Sequence, residues 1–438
     1  MENKAAESLL SKLDSADRRV RLEGLAEIME TNKSGIKAGD DNISASRDVN
    51  SHIHTIYSFS PYSPSAAVYH SLKAGLVTTG IMDHDSVAGA REFIEAGSIC
   101  KMPVTVGAEL RISFAGTAIE GRRINNPDQD TVAYVAFHGI PHSEIDAVAD
   151  FFVPIGKARE RRNRAMTGRI NELLSDPDIH IDYDNDVLPI SMKHEGGSVT
   201  ERHLLFALAC KITGKFSKGS AVPEVLKDLG IIPKGRSLEY LEDRLNPQYE
   251  YDLLNVLKGS MVEKFYLPAT DECVPVSEAA AFAKKHGIVL AYAYLGDVTD
   301  SVTGDKKAQK FEDDYLELLF KIIADAGFDS VTYMPSRNTS EQLSGIRELC
   351  NRYGLFQISG EDINQPRQKF VCEAMRSSEF SNLYDSAWAL IGHELEATND
   401  KERGMFSPKT IEKFPDLQNR ITEFRDKAMA YHDVATAK

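Results

Sequence analysis

Residues 51–54 of the chain are Ser51-His52-Ile53-His54, and they lie near the end of the first strand-like segment. Side chains of a strand alternate between its two faces, so His52 and His54 are expected to point to the same side. Taken alone, such a pair is more often two surface or packing histidines than a binding site. The rest of the sequence favours a site, because it repeats the same residue types at corresponding places.

Histidine and carboxylate side chains recur where later apolar segments end. They are Asp83-His84-Asp85 after residues 76–82, Glu109 after residues 104–108, His138 at the end of residues 132–138, and Glu361-Asp362 after residues 355–360. The downstream ends of barrel strands meet at one face, where they can build a site. Imidazole and carboxylate groups together are typical ligands of transition metals. We therefore interpret this set as a candidate metal site.

The composition limits the class of protein. The 438 residues, 42% hydrophobic and 27% charged, leave room for a barrel of roughly 250 residues with additional segments. The five cysteines are scattered without a Cys-x-x-Cys pair, which indicates reduced thiols in a cytoplasmic protein rather than a disulfide framework or a zinc knuckle. A net charge of −15 argues against a surface that coats nucleic acid. No apolar run is as long as a membrane span, and residues 1–19 are too charged for a signal peptide, so we expect no membrane partner.

Strand-like and helix-like segments alternate along most of the chain. Strands are predicted near residues 48–53, 76–82, 103–110, 131–138, 287–293, 330–334 and 355–359. This alternation predicts an α/β fold with a parallel sheet and right-handed crossovers. The predicted segments are a helical extension at 1–46, barrel segments at 47–212 and 274–375, a helical insertion at 213–273, and a helical C-terminal segment at 376–438.

Two helical segments can supply positive charge to a site. Residues 143–175 carry a basic cluster made of Lys157, Arg159, Arg161, Arg162 and Arg164. This cluster is either a solvated helix face or a source of one or two arginines that hold a phosphate at the mouth of the site. In residues 194–208, Thr200 is the expected N-cap of an apolar helix. Its first turn would present Arg202 and His203, and a helix N-terminus favours anions.

Taken in order, the motifs resemble those of the PHP superfamily, whose name stands for polymerase and histidinol phosphatase. The motifs that carry the resemblance are His52-x-His54, Asp83-His84-Asp85, Gly107-Ala108-Glu109, His138, the helix start at Thr200–Leu208, and Ser359-Gly360-Glu361-Asp362. They cover roughly residues 47–212 and 274–368, and their spacing is most similar to stand-alone phosphoesterases with a helical insertion. The resemblance implies a distorted seven-stranded (β/α) TIM-like barrel that holds one to three divalent metals and hydrolyses phosphate esters.

The resemblance also implies which residues bind the metals. The first metal site of the family is matched by His52, His54, Glu109 and Asp362. Glu109 and His138 match part of the second site, and His84 matches one ligand of the third. A bridging carboxylate such as Glu109 can hold two metals close together, and the donor types suit Zn, Mn or Fe(II). Asp83 and Asp85 are expected to orient histidines through hydrogen bonds, although Asp85 could instead cap the following helix.

Three departures from the family's pattern lower the expected number of metals. The chain has Ser58-Phe59 where the family often has Ser-Asp, Tyr292 in place of the histidine of Ala-His-Pro, and Asn364 in place of the histidine of Asp-x-His. A phenyl ring cannot ligate, and a neutral amide is a poorer ligand than imidazole. Either His203 moves in as a ligand, or the chain binds fewer metals than its relatives. We predict one or two divalent ions per chain, with the first site filled preferentially and His84 freed to act as a proton donor or phosphate contact.

The predicted activity is metal-dependent hydrolysis of a phosphate ester on a small phosphorylated metabolite or nucleotide. The predicted catalytic residues are His84, Asp83 and Tyr294. The predicted substrate-binding residues are Arg337 as the main phosphate clamp, with Arg202, Asn364, Arg367 and His194. The alternatives are a PHP fold that binds metal without catalysis, as a regulatory or structural module, and a nuclease, which the acidic balance and the lack of an aromatic and basic track disfavour. The sequence does not fix the oligomeric state.

Overall fold

The computed structural model describes residues 8–32, 47–298 and 309–436. The strands are β1 Val49–Ile53, β2 Thr78–His84, β3 Val104–Ser113, β4 Val132–His138, β5 Val274–Pro275, β6 Val289–Ala293, β7 Ser330–Tyr333 and β8 Phe356–Ser359. The α-helices named below are α1 Arg18–Asn32, α2 Pro64–Lys73, α3 Ala90–Cys100, α4 Ile145–Glu172, α5 Glu201–Lys215, α6 Ala221–Asp228, α7 Arg236–Glu242, α8 Tyr249–Phe265, α9 Val276–His286, α10 Leu316–Ala326, α11 Ser340–Tyr353, α12 Ser381–Asn399, α13 Pro408–Lys413 and α14 Leu417–Thr436. None of the described helices is long and apolar enough to cross a membrane.

The strands form one sheet that closes almost completely into a barrel. Their order is β1-β2-β3-β4-β6-β7-β8, and the short β5 pairs with the end of β3. The segment after β8 returns to β1, because the Ile363 amide donates to the His52 carbonyl at 3.2 Å and the His54 amide donates to the Ile363 carbonyl at 2.9 Å. The predicted distorted barrel of seven strands, with helices outside it, is therefore confirmed.

The prediction of a fully parallel sheet is wrong for β4. This strand runs antiparallel to both β3 and β6, whereas the other neighbouring strands are parallel. Its connection to β3, residues 114–131, contains no helix, so the chain turns back instead of crossing over. In the resulting register Glu109 lies opposite Ala136. His138, two residues further along β4, is therefore placed deeper in the barrel than Glu109.

The barrel interior is filled by small and flexible side chains. Met82 packs against Ala136 and Ala291 in its centre. A Cβ atom on Gly107 would lie 2.8 Å from the backbone oxygen of Phe137, so glycine is needed at this position of β3. Helix α12 packs near the start of β3, at the other end of the barrel from His84. Its buried Glu394 accepts a hydrogen bond from the Val106 amide at 2.8 Å.

A second hydrophobic core lies beside the barrel. It joins the second half of α4 to α5 and to the predicted insertion, and includes Met166, Leu204, Leu208, Leu253 and Leu257. Phe59, which follows β1, belongs to this core, with its ring edge-on to Phe206 at 5.5 Å. The residue at which the chain departs from the family's Ser-Asp pattern thus connects the barrel to the helices of the insertion.

Candidate metal centre

Strands β1, β2 and β3 and the segment after β8 bring the predicted ligands together. His52 and His54 leave β1, His84 ends β2, and Glu109 stands beside His84 in the parallel register of β2 and β3. Asp362 arrives from the segment after β8, which is held against β1 by the bridge between Ile53 and Ile363. The strand ends of the barrel therefore place all five side chains at one edge.

His54 is at the centre of this set. Its Nε2 atom lies 3.2 Å from His52 Nε2, 3.1 Å from Asp362 Oδ1 and 3.9 Å from Glu109 Oε2. Glu109 Oε2 is also 3.0 Å from His84 Nδ1. Within the described chain, two groups of three have spacings that suit a metal ion, namely His52, His54 and Asp362, and His54, His84 and Glu109. Both groups contain His54.

The electrostatics of the centre favour ionised carboxylates facing imidazoles. Burial is the largest influence on the pKa of Glu109 and raises it, but the surrounding imidazoles, led by His84, outweigh burial and lower this pKa to about 2. Burial also opposes ionisation of Asp362, yet His54 holds its pKa well below the usual range. Burial lowers the pKa of His52, whereas at His54 the Asp362 carboxylate outweighs burial and raises the pKa. The centre thus offers two anionic ligands at neutral pH.

His138 is a buried imidazole without a protein partner. Neither of its ring nitrogens has a hydrogen-bond partner among the residues described, and the ring is 1% exposed. Burial, followed by the neighbouring His52, lowers the pKa of His138 to about 3, so the ring is neutral and carries a free lone pair. His138 is outside the two groups of three, but it is close enough to His52 and Glu109 to interact with them electrostatically. A buried neutral imidazole beside carboxylates fits a metal ligand.

Asp83 does not face the centre, which corrects its predicted catalytic role. Its carboxylate accepts from the Thr55 amide at 2.7 Å, from the Thr55 hydroxyl at 2.6 Å and from the Ser58 hydroxyl at 2.6 Å. The Ser58 Oγ atom lies 3.2 Å from His54 Nδ1. Asp83 therefore positions His54 through Ser58, in line with the expectation that it orients a histidine. Ser58 was missed as a positioning residue, although it stands four residues after His54.

Asp85 neither caps a helix nor orients a histidine. Helix α3 begins at Ala90, and the Asp85 carboxylate contacts the guanidinium of Arg159. Arg159 and Arg162 of the basic cluster are both buried, and Arg162 pairs with Glu272 at 2.8 Å. These two arginines therefore neither form a solvated helix face nor bind a phosphate. They belong to a buried ionic network with Asp85 and Glu272.

His203 does not join the metal centre, which corrects the alternative that it replaces a lost ligand. Its Nδ1 atom accepts from the Thr200 amide at 3.0 Å and completes a capping box at the start of α5. Its ring is buried and stands edge-on to Phe59, 5.0 Å between centroids. The Thr200 amide thus occupies one ring nitrogen, and neither group of candidate ligands among the described residues includes His203. The other alternative, that the chain binds fewer metals than the family it resembles, stays a prediction.

Arg202 and Asn364 lie at the edge of the centre. Arg202 Nη1 donates to Asn364 Oδ1 at 2.7 Å, and Asn364 Nδ2 donates to Asp362 Oδ1 at 2.6 Å. The other nitrogens of this guanidinium have no acceptor among the described residues. Burial lowers the pKa of Arg202, and the nearby Asp362 opposes that effect. The structure thus places one cation with free donors beside a predicted metal ligand.

Arg367 and Tyr294 are bonded away from the centre, which corrects their predicted roles. Arg367 forms a two-bond ion pair with Asp252 of α8, at 2.9 and 2.8 Å, and so fixes the insertion to the barrel. The Tyr294 hydroxyl donates to Asp313 at 2.7 Å. Both side chains are already paired with carboxylates and have structural roles.

Arg337 and His194 are also held outside the cluster. Arg337 Nε donates to the Leu295 carbonyl at 3.2 Å, on the loop that follows β6. The side chain of His194 is 70% exposed and lies 3.6 Å from Glu195. No described contact brings either residue to the histidine cluster, so their roles in substrate binding stay predictions.

Tyr292, the residue in the place of the family's Ala-His-Pro histidine, holds a buried carboxyl group. Its hydroxyl donates to Glu312 Oε1 at 2.9 Å, and the Leu295 amide donates to the same oxygen at 2.9 Å. The second carboxylate oxygen of Glu312 has no partner among the residues described. Burial is the largest influence on this group and raises its pKa to about 7.

We expect Glu312→Gln to change how stability depends on pH. The folded-state pKa lies above the ordinary value of 4.5, so Glu312 contributes most below that value, and its contribution falls as pH rises through about 7. Between pH 4 and pH 8 wild type should therefore lose about 3 kcal/mol of stability relative to the variant, because the pKa is about 7 instead of 4.5 and each pKa unit is worth about 1.4 kcal/mol. Urea unfolding of both proteins at the two pH values measures this, and parallel pH profiles would contradict it.

Comparisons with known proteins add evidence on the fold. No protein-family model matches the sequence, and no curated protein matches it. A structure from Bifidobacterium adolescentis, provisionally named a metal-dependent phosphoesterase, is 21% identical, with a TM-score of 0.50, and covers 75% of this chain and 94% of that one. An amidohydrolase structure from Chromobacterium violaceum, solved with bound sulfate and no metal, is 16% identical, with a TM-score of 0.49, and covers 74% and 90%. The first likeness supports the distorted barrel fold.

Proposed function

We propose that this chain hydrolyses phosphate esters of a small metabolite or nucleotide with the help of divalent metal ions. The observation that carries the proposal is the convergence of two histidines and two carboxylates on His54. The buried, unpartnered imidazole of His138 supports it, because such a group costs stability unless a ligand satisfies it.

The proposed first metal site consists of His52, His54, Glu109 and Asp362, and the second takes Glu109 and His138. A neutral imidazole has a single acceptor nitrogen, so His54 can serve one cation and cannot complete both groups at once. Glu109 has two oxygens and can bridge two cations. We therefore keep the prediction of at most two metals per chain, drawn from Zn, Mn and Fe(II).

Bound divalent cations supply a Lewis acid for the phosphoryl oxygens and activate a water molecule at neutral pH. The chain's own groups supply binding and proton transfer. Arg202 offers free N–H groups to the phosphate, and Asn364 holds Arg202 and Asp362 in fixed relation. His84 is the most exposed imidazole of the cluster, at 26% against 12% for His52. This exposure supports the prediction that His84 holds a substrate oxygen or protonates a leaving group.

Metal analysis combined with a panel of phosphate esters tests this proposal. We expect purified or reconstituted protein to hold up to two equivalents of Zn, Mn or Fe and to release phosphate from at least one ester, with activity lost on chelation. Protein that takes up no transition metal after reconstitution would refute the metal centre. Metal uptake without turnover of any ester would favour the non-catalytic metal-binding module.

Arg202→Ala should weaken phosphate binding more than Arg337→Ala. Loss of a charge-assisted hydrogen bond to phosphate is worth about 1.5–3 kcal/mol, so KM should rise roughly 10- to 150-fold for Arg202→Ala. Arg337→Ala is the matched comparison, because sequence analysis predicts it as the main clamp whereas the structure bonds its Nε atom to a carbonyl. Steady-state kinetics with one ester decide the order, and a larger effect for Arg337→Ala would restore the original assignment.

A further inference from the structure

A cavity of about 520 Å³ is lined by residues other than those of the histidine cluster. Its walls are the turn after β2, the first half of α4 and the segment 193–199. Asp85 lines the cavity, while its neighbour His84 belongs to the histidine cluster. The volume is within the range of small-molecule sites.

Two buried side chains on the cavity wall have polar atoms that the described part of the chain does not satisfy. Asn163 is completely buried, and its Nδ2 donates to the Val199 carbonyl at 2.7 Å, but its Oδ1 has no partner. Ser198 is 6% exposed, and its hydroxyl also has none. Tyr183 lines the same wall, with its hydroxyl near Asn163. The two side chains do not meet the geometric criteria for a hydrogen bond. An acceptor, a hydroxyl and a phenol on one wall suit the hydroxyl groups of a ligand.

The other end of the cavity carries positive charge. Lys157 and Lys193 line it and make no ion pair with the residues described. The Lys193 ammonium lies against α4, 3.2 Å from the position that a Cβ atom on Gly156 would take. The acidic side chains that line the cavity are paired or at the rim. Asp85 contacts Arg159, Asp146 pairs with Arg91 at 2.7 Å, and Glu160 pairs with Arg164 at 3.0 Å. Glu195 accepts from the Tyr57 hydroxyl at 2.9 Å, and Asp150 is exposed.

The distance between the two ends sets the length of the ligand. Gly156 and Asn163 are seven residues apart on α4, which corresponds to about 10.5 Å along the helix axis. A free phosphate ion cannot reach from the ammonium groups to Asn163. A sugar of five or six carbons with a terminal phosphate can, because lysine is a common phosphate binder and hydroxyl groups match the amide and the serine.

We propose that this cavity is a second small-molecule site, separate from the metal centre, which binds a sugar phosphate. The phosphate group is held by Lys157 and Lys193, and the sugar hydroxyls bond Asn163 and Ser198. The proposal is independent of hydrolysis at the metal centre, because the residues involved are distinct from the histidine cluster and from Arg202.

The proposal can be tested by measuring how far glucose 6-phosphate protects Lys193 from chemical labelling. An amine-reactive acetylating reagent is applied to the full-length protein, and acetylation of Lys193 is followed by peptide mass spectrometry, with the exposed Lys285 as an internal reference. Where the ligand is at about ten times its Kd, only about a tenth of the sites are free, so labelling of Lys193 should slow about tenfold. Glucose alone and inorganic phosphate alone should protect far less.

Two glycine variants on α4 form a matched pair. Gly156→Leu places a side chain in the cavity against Lys193, whereas Gly168→Leu places the same side chain in open space on the same helix. Both replace glycine by a better helix former, so both should fold. We expect protection to disappear in Gly156→Leu and to persist in Gly168→Leu. If Gly156→Leu fails to fold, Ser198→Ala, which removes an unpartnered hydroxyl, should weaken protection by glucose 6-phosphate.

Three outcomes would overturn the proposal. The first is unchanged Lys193 labelling at millimolar glucose 6-phosphate, which leaves a cavity filled by water. The second is that glucose 6-phosphate protects Lys193 equally in wild type and in a folded Gly156→Leu variant. Where Ser198→Ala is used instead, equal protection in that variant has the same meaning. The third is equal protection by inorganic phosphate, which would reduce the site to an anion contact.

Discussion

Replacing His54 with alanine is expected to remove the metal of the proposed first site and to lower kcat/KM by more than about 100-fold, since loss of even an outer-shell partner of a metal ligand costs 10- to 100-fold. The reason is geometric. Among the residues that the structure describes, His54 is the member common to both groups of candidate ligands. Its loss breaks the first site and separates Asp362 from its closest imidazole partner, 3.1 Å away. Metal content and ester hydrolysis, measured on the same preparation, check this result.

Graded controls distinguish a lost ligand from a damaged fold. Ser58→Ala keeps every ligand but removes the hydroxyl that links Asp83 to His54, so we expect an intermediate loss of about 10- to 100-fold. His180→Ala removes a histidine whose Nε2 bonds the Leu174 carbonyl at 3.1 Å, and it should leave metal content unchanged. Full metal content and activity in His54→Ala, with circular dichroism like that of wild type, would show that the cluster is not the metal centre.

The ligands of the centre were predictable because they follow strand ends. Parallel strands of a barrel end at the same edge, so histidines and carboxylates that follow apolar runs are expected to meet there. His54, His84 and Asp362 follow this rule, whereas His52 lies within β1 and Glu109 lies within β3, opposite His84. The structure brings all five together. The direction of β4 could not be predicted in the same way. It depends on the connection at 114–131, whose polar sequence does not reveal that it turns back.

The wrong roles have a common physical cause, which is that the partner of a polar side chain was distant in the sequence or was the backbone. Arg367 looks like a phosphate ligand until Asp252, 115 residues away, is seen to hold it. Tyr294 is similar, because Asp313 is its partner. His203 carried a usable indication. It stands three residues after Thr200, the spacing of a capping box, in which the side chain at the third helical position bonds back to the N-cap amide.

We expect Arg21→Ala to destabilise the protein by about 3–5 kcal/mol, the cost of leaving one partner of a buried ion pair without its counterion. Arg21 lies on α1, in the segment predicted as a helical extension, and is completely buried. Its guanidinium donates to both carboxylate oxygens of Glu92 on α3, at 2.9 and 2.5 Å, and to the Ser15 carbonyl at 2.7 Å. Glu92 also accepts from the Ser65 hydroxyl at 2.7 Å, so one ion pair joins α1, α2 and α3.

Arg18→Ala is the matched control, because it removes an arginine of the same helix from an ion pair of the same kind at the surface. Arg18 contacts Glu95 of α3 at 2.9 Å with 43% of its side chain exposed, and such pairs contribute about 0–1 kcal/mol. The free energies of unfolding of the two variants in urea should therefore differ by several kcal/mol. In Arg21→Ala the carboxylate of Glu92 stays buried without its cation, so adding Glu92→Gln to this variant should recover part of the loss. Equal stability of Arg21→Ala and Arg18→Ala would mean that α1 is a dispensable extension, held no more tightly than an exposed ion pair requires.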